Sequence, residues 1–355
     1  MNIIIFLIIL AAVVAVWELT VAIALKGLSC SRSFTRTAVF EGEEAELVEI
    51  VRNDKPLIIP WLRLESKISP HIRFGKQDDL KITGEMYHCS LFTLFPYQQI
   101  KRRHKVKFLR RGSYDLGNAS LTVGDILGIH RLHRDQMLHA PVLVYPRILD
   151  EHVIPLPISR MMGEMTNRRQ LMQDPFLIRG IRPYQLGDPV RDIHWPATAR
   201  TNEVQVRVHD YTTQTKLLVV LNVQRDDLQF DNYLSGKDET IAEYGISLAA
   251  TLCIHALRNG MSAGFAANMP KTAQGESSMM YPGDGTVQED AILADFARLN
   301  VILSNKFPVL LEDLTVHSGL DIVILSRYDS DSIQQGMRKL RQCGNQVSLH
   351  LYEGG

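Results

Sequence analysis

The sequence predicts a multidomain chain: an N-terminal transmembrane helix, a β-sandwich, then a doubly wound α/β domain. Three observations carry this. An almost wholly apolar run opens the chain from Ile3 to Leu25, and short stretches with period-two alternation follow as far as Ile148. Beyond Arg200, continuous apolar runs alternate with segments of helical periodicity. A length of 355 residues suits two cores plus an extra segment. The 39 basic and 39 acidic side chains balance. That argues against a nucleic-acid binder, whose affinity rests on excess cationic surface.

The opening run supplies about 23 residues, which at about 1.5 Å of rise exceed a hydrocarbon core of about 30 Å. Residues 1–26 therefore read as a membrane helix, with Trp17 toward an interface and Glu18 near the end of the span. No basic region precedes the run, and it is too long for a cleaved signal peptide. Gly27, Leu28 and Ser29 before Cys30 make a poor lipidation site. Lys26, Arg32 and Arg36 follow the helix and no side-chain cation precedes it. By the positive-inside rule the soluble domains face the cytoplasm, and the chain is a single-pass protein of the inner or cytoplasmic membrane. Cys30, Cys89, Cys253 and Cys343 are far apart, without the spacing of a zinc or redox pair, as expected in a reducing compartment.

Residues 35–148 read as the sandwich. "AELVEIVRN", "IPWLRLES", "HKVKFLRRGSYDLG" and "PVLVYPRI" are its clearest strands, and the cations of "KRRHKVKFLRRG" read as a solvated strand face. His130, His133 and His139 lack carboxylate or cysteine support at ligand spacing, and their segment reads as a loop. Residues 149–178 read as a methionine-rich linker, with a short helix or a mobile segment around "SRMMGEMTNRRQLMQDP".

Residues 179–355 read as the α/β domain. "NEVQVRVHD" suits an edge strand and "KLLVVLNV" a strand buried on both faces. Ile241, Tyr244, Leu248, Leu252 and Ala256 recur at helical spacing before a Gly260 stop. "SAGFAANM", "LDIVILS" and "QVSLHLYE" read as further strands, with helices in "VQEDAILADFARL" and "SDSIQQGMRKLRQCGN". In such sheets ligands sit beyond the carboxyl ends of the strands, here after Val223 and Leu325.

The densest chemistry lies in "YQLGDPVRDIHWPATAR", Tyr184 to Arg200. Gly187, Asp188 and Pro189 read as a tight turn. As an enzyme site, His194 is the base with Asp188 or Asp192 as its orienter, but Thr198 and Thr201 are the only local hydroxyls. As a docking or interdomain element, Trp195 before Pro196 reads as a buried anchor, while Arg182, Arg191 and Arg200 suit bidentate pairing with carboxylates. The second reading is favoured. Its residues are Arg182, Tyr184, Gly187, Asp188, Arg191, His194, Trp195 and Arg200, with no catalytic residue, metal ligand or cofactor assigned.

One membrane helix, a sandwich ending in "VYPRI", and then "RGIRPYQLGDPVRDIHWPATARTNEVQVRVHD" before an apolar strand together resemble the bacterial domain of unknown function 58 family. The resemblance covers nearly the whole soluble chain and is most specific from Arg179 to Arg207. It implies a membrane-attached protein whose last domain is similar to a von Willebrand factor A domain, paired with a MoxR-type AAA+ ATPase. In such domains the first central strand ends in Asp-x-Ser-x-Ser, whose oxygens hold a divalent cation. Here Asn222, Gln224 and Asp226 stand on those positions. Two amides among them predict no tight metal site, leaving Asp226, Ser326 and Asp329 as a weak one. The functional expectation is a membrane-anchored adaptor or scaffold working with that ATPase in envelope or protein-complex maturation. A hydrolase acting on envelope material through His194 is the alternative.

Overall fold

The computed structural model describes residue 5 and residues 25–75, 80–83, 87–124, 131–150, 152, 154–171, 178–185, 188–209, 216–234, 236–271, 275 and 277–353. The expected membrane helix at residues 1–26 lies almost wholly outside the described residues. Contact density divides the chain into Met1–Arg147 and Ile148–Gly355.

From Leu28 to Tyr145 the regular elements of the first unit are strands among the described residues. One sheet has the order β1 (Leu28–Phe34), β3 (Glu44–Asn53), β8 (Gln99–Phe108), β5 (Ile72–Phe74). A second runs β11 (Arg131–Met137), β10 (Asn118–Gly124), β4 (Ile59–Lys67), β7 (Tyr87–Leu94), β6 (Leu80–Thr83). A short third sheet joins β2 (Ala38–Phe40), β12 (Pro141–Tyr145) and β9 (Gly112–Asp115). Alternation explains how they stack. Cys30 and Val51 of the first sheet pack with Leu62, Leu64, Phe92, Leu121 and Val123 of the second. On β8 the cations Lys101, Arg103, Lys105 and Lys107 point to solvent, while His104, Val106 and Phe108 point inward.

Two expectations need correction here. The β-rich unit begins at Leu28 rather than residue 35, because Leu28, Cys30 and Arg32 alternate inward and pair in register with β3. Arg32 hid this strand: it breaks the apolar pattern and is buried only because Glu49 lies directly opposite it. It is therefore a core residue rather than a flanking surface cation. The segment expected as a histidine loop is strand β11, whose exposed His133 pairs with Asp135; His139 pairs with Asp115 at 2.7 Å, and His130 lies outside the described residues.

The second unit carries a five-stranded sheet of order β17 (Ser278–Gly283), β16 (Ser262–Ala267), β15 (Lys216–Leu221), β18 (Asp321–Ser326), β19 (Gln346–Leu351). All neighbours are parallel except the edge pair β16–β17. β15 shows why an unbroken apolar run suits a central strand. Its Leu217, Val219 and Leu221 join the core beneath α3 (Lys237–Arg258) and α4 (Gly285–Arg298), while Leu218 and Val220 join the opposite core beneath α5 (Phe307–Asp313) and α6 (Asp331–Gln342). α3 is long and apolar enough to cross a membrane, but most of it is buried in this core. Gly245 on α3 is required by close approach: a Cβ there would meet the Tyr352 ring at 2.7 Å.

The methionine-rich region holds α1 (Leu156–Leu171). Ile158 and Met162 fill the same core as β15, so the start of this helix is part of the second unit rather than a linker. Between α1 and β15 lies a two-stranded ribbon, β13 (Ile178–Pro183) and β14 (Gln205–His209), with a 3₁₀ turn at Val190–Asp192 and α2 (Trp195–Thr201) between its strands.

Candidate functional site

The motif-rich segment folds as a small module on this ribbon. β13 and β14 pair antiparallel from Ile181↔Arg207 to Pro183↔Gln205, and the Tyr184 amide donates to the Val204 carbonyl at 2.8 Å. Backbone pairing continues past the strands, since the His194 amide donates to Gln205 at 2.7 Å. Asp188 accepts from both terminal nitrogens of Arg182, at 2.7 and 2.8 Å, and from the Gln185 amide at 2.8 Å. The Arg182 hydrogen bond, followed by that amide, holds the Asp188 carboxyl below the usual carboxylate range. A carboxylate that closes a turn while gripping a guanidinium bidentately is a geometric lock.

His194 is the N-cap of α2. Its Nδ1 accepts from the Ala197 amide at 3.0 Å, leaving neither Asp188 nor Asp192 as a hydrogen-bonded orienter among the described residues. The Thr198 hydroxyl, Oγ1, donates to the His194 carbonyl at 3.1 Å and accepts from the Gln205 amide at 3.0 Å. That hydroxyl is committed to the backbone. Asn202, at a φ of 58°, ends the helix in the left-handed region that asparagine tolerates.

Trp195 overturns its expected burial. It is 66% exposed, because α2 is a two-turn helix that buries no side chain. Arg191 and Arg200 are likewise exposed, and Arg191 approaches its neighbour Asp192 at 3.8 Å. Among the described residues, Arg182 alone of the three arginines makes the bidentate pair expected of them. Gly187 lies outside the described residues. Exposed Ile181, Tyr184, Val190 and Val204 add to an apolar presence on the same module.

The other candidate lies at the carboxyl ends of β15 and β18, where the strand order reverses. Asn222 donates through Nδ2 to Ser326 Oγ at 3.0 Å, and its Oδ1 accepts from Asn268 Nδ2 and the Gln224 amide, each at 3.0 Å. Gln224 Oε1 accepts from the Phe307 amide at 3.1 Å. The Tyr352 hydroxyl donates to the Asn222 carbonyl at 3.0 Å. Asp226 turns outward, accepting from the Leu228 amide and from Arg225. The amide oxygens on the degenerate cation positions are thus committed to protein donors. Sequence reading missed Asn268 and Tyr352, which reach this point from distant strand ends.

Fold and site together define a β-rich unit followed by an α/β unit that displays an ordered hairpin module. Residues 180–286 match the family described as "Protein of unknown function DUF58". The match takes in that module, β15 and α3, and supports the family resemblance. No curated protein matches the chain. Among solved structures, a non-cellulosomal cohesin from Archaeoglobus fulgidus is similar at 10% identity over 33% of this chain and 91% of that one, with a TM-score of 0.24. The CARDB domain of a Pyrococcus furiosus protein, in complex with di-metal ions, is similar at 15% identity over 34% and 96%, with a TM-score of 0.22. Such scores are too low to define a fold.

Proposed function

We propose that this protein is a membrane-anchored, cytoplasm-facing adaptor whose hairpin module docks a protein partner, with a MoxR-type AAA+ ATPase as the leading candidate. The exposure of Trp195 carries this reading. An indole left in water on a helix held by a cap, a left-handed stop and an Arg182–Asp188 lock is a rigid aromatic anchor, the kind of residue that dominates interface energetics. The order of the parallel sheet supports likening the second unit to a von Willebrand factor A domain that acts by binding. The capping role of His194 and the backbone commitment of Thr198 weigh against the hydrolase alternative.

The test is affinity capture of the intact chain, gently solubilised from its native membrane, with and without ATP. A co-purifying AAA+ ATPase lost on Trp195→Ala supports the adaptor. Equal capture by both proteins removes the module from the interface. Absence of any ATPase in either nucleotide state removes the ATPase partner.

A further inference from the structure

The β-rich unit contains a cluster of ionisable side chains that packing alone does not require. Arg32 and Glu49 face each other across β1 and β3, both with fully buried side chains, and Arg32 donates to Glu49 Oε1 through Nε at 2.8 Å while Nη2 stands at ion-pair distance from it, 2.7 Å. Glu49 Oε2 accepts from Ser90 Oγ at 2.9 Å and meets His104 Nε2 at 3.0 Å. From the opposite sheet, His88 stacks on Phe74 with ring centroids 4.6 Å apart and turns Nδ1 toward Glu49 Oε1 at 3.7 Å. His88 is 1% exposed, and among the described residues neither of its ring nitrogens has a hydrogen-bond partner. A buried imidazole with both nitrogens unsatisfied is costly, and its orientation toward two other donors asks for an explanation.

We propose that Glu49, His88 and His104 form a binding site for a divalent transition metal of the zinc class. One donor atom from each of the three lies within 4.8 Å of the others. Ligands about 2.0–2.1 Å from a tetrahedral ion stand about 3.3 Å apart. His104 Nε2 stands 3.0 Å from Glu49 Oε2 and His88 Nδ1 3.7 Å from Glu49 Oε1, each close to that value, so the ion sits against the carboxylate edge between the two rings and binds it through Oε2. Two imidazoles and one carboxylate are the donor set that zinc, cobalt and nickel accept, and both histidines bind as neutral rings. His104 shifts its proton to Nδ1 so that the Nε2 lone pair faces the ion, and His88 gains the partner it otherwise lacks. Arg32 stays on Oε1 as an orienting contact. It also opposes the ion, because the site's one carboxylate is already shared with a guanidinium. The site is therefore weaker than one with an undivided carboxylate.

The probe is cobalt(II). Full-length protein is produced in cobalt-supplemented medium, since the site is closed to solvent, then desalted and analysed for metal and visible absorption. The proposal expects about one ion per chain with an intense low-symmetry cobalt spectrum. Both are lost in His88→Phe, which keeps the stacking ring on Phe74, but are retained in His133→Ala, which removes an exposed histidine. In Arg32→Met the carboxylate loses its cation, so production with cobalt rather than without it should raise the thermal midpoint more than it does for the native chain, and His88→Phe on that background should abolish the rise. Metal-free native protein, or equal loading of native and His88→Phe chains, would overturn the proposal. So would an Arg32→Met chain indifferent to cobalt.

Discussion

Asn222 and Ser326, on adjacent parallel strand ends, are joined side chain to side chain at 3.0 Å at the point where the sheet's strand order reverses. Both are fully buried. The bond is one edge of a network in which the Asn222 amide both donates and accepts, a duality that a carboxylate lacks at neutral pH. Asn222→Ala removes the three bonds of that side chain and leaves the Asn268 amide and the Gln224 backbone amide without their acceptor. Each orphaned buried group costs about 1–3 kcal/mol, so we expect a loss of about 3 kcal/mol in denaturant unfolding. A loss below about 0.5 kcal/mol would mean that water replaces the amide freely.

A capping histidine and a catalytic one respond differently to substitution. His194→Ser keeps a side-chain acceptor for the Ala197 amide, whereas His194→Ala removes it at a cost of about 1 kcal/mol. The expected order of thermal midpoints is native and serine variants together, with alanine lower. Partner capture by the serine variant should match the native chain. Any turnover that histidine supports and serine abolishes would restore His194 as a base.

The parts legible in the sequence are those where one face of an element is uniformly apolar. β3, β4 and β12 announce themselves by alternation, β15 and β18 by unbroken apolar runs, and α3 by Leu248, Leu252 and Ala256 along a buried side. β1 and β7 are obscured because Arg32, His88 and Ser90 face inward, and their inward direction depends on a partner that only sheet pairing supplies. The same holds for the sites. Arg182 and Asp188 are close enough in sequence for their pairing to be considered, but Glu49, His88 and His104 come from three strands, two of them in one sheet and the third facing them. Trp195 misled for a different reason. Nothing in the composition of a short helix states which way its aromatic faces.

Exposure of Trp195 separates folding from binding. A surface substitution with no lost contact changes stability by no more than about 0.5 kcal/mol, so Trp195→Ala should melt with the native chain. If the indole anchors the interface, its removal costs at least about 2 kcal/mol of binding, or about 30-fold in affinity. Titration of a partner captured by the native chain against both proteins measures this directly. A drop in thermal midpoint matching the loss of binding would instead make Trp195 a structural residue.

Acidification should unfold the metal-free β-rich unit in two stages. Burial drives the His88 imidazole down to about 4, against the pull of Glu49, and Arg32 and His104 add to the fall. Burial alone would raise Glu49, but the His104 hydrogen bond and the Arg32, His88 and His104 charges hold it at about 2. Both folded-state values lie below those of the unfolded chain, near 6.5 for histidine and 4.5 for glutamate. The unfolded state therefore binds protons that the folded state refuses, and stability falls as the pH is lowered. The His88 contribution is complete above about pH 6.5 and is lost toward about pH 4, worth up to about 3 kcal/mol. The Glu49 contribution fades below about pH 4.5. Denaturant midpoints measured down to about pH 2 should fall in the native chain, while His88→Phe flattens the upper stage and keeps the lower one. Parallel curves for the two proteins would place the acid sensitivity elsewhere than His88.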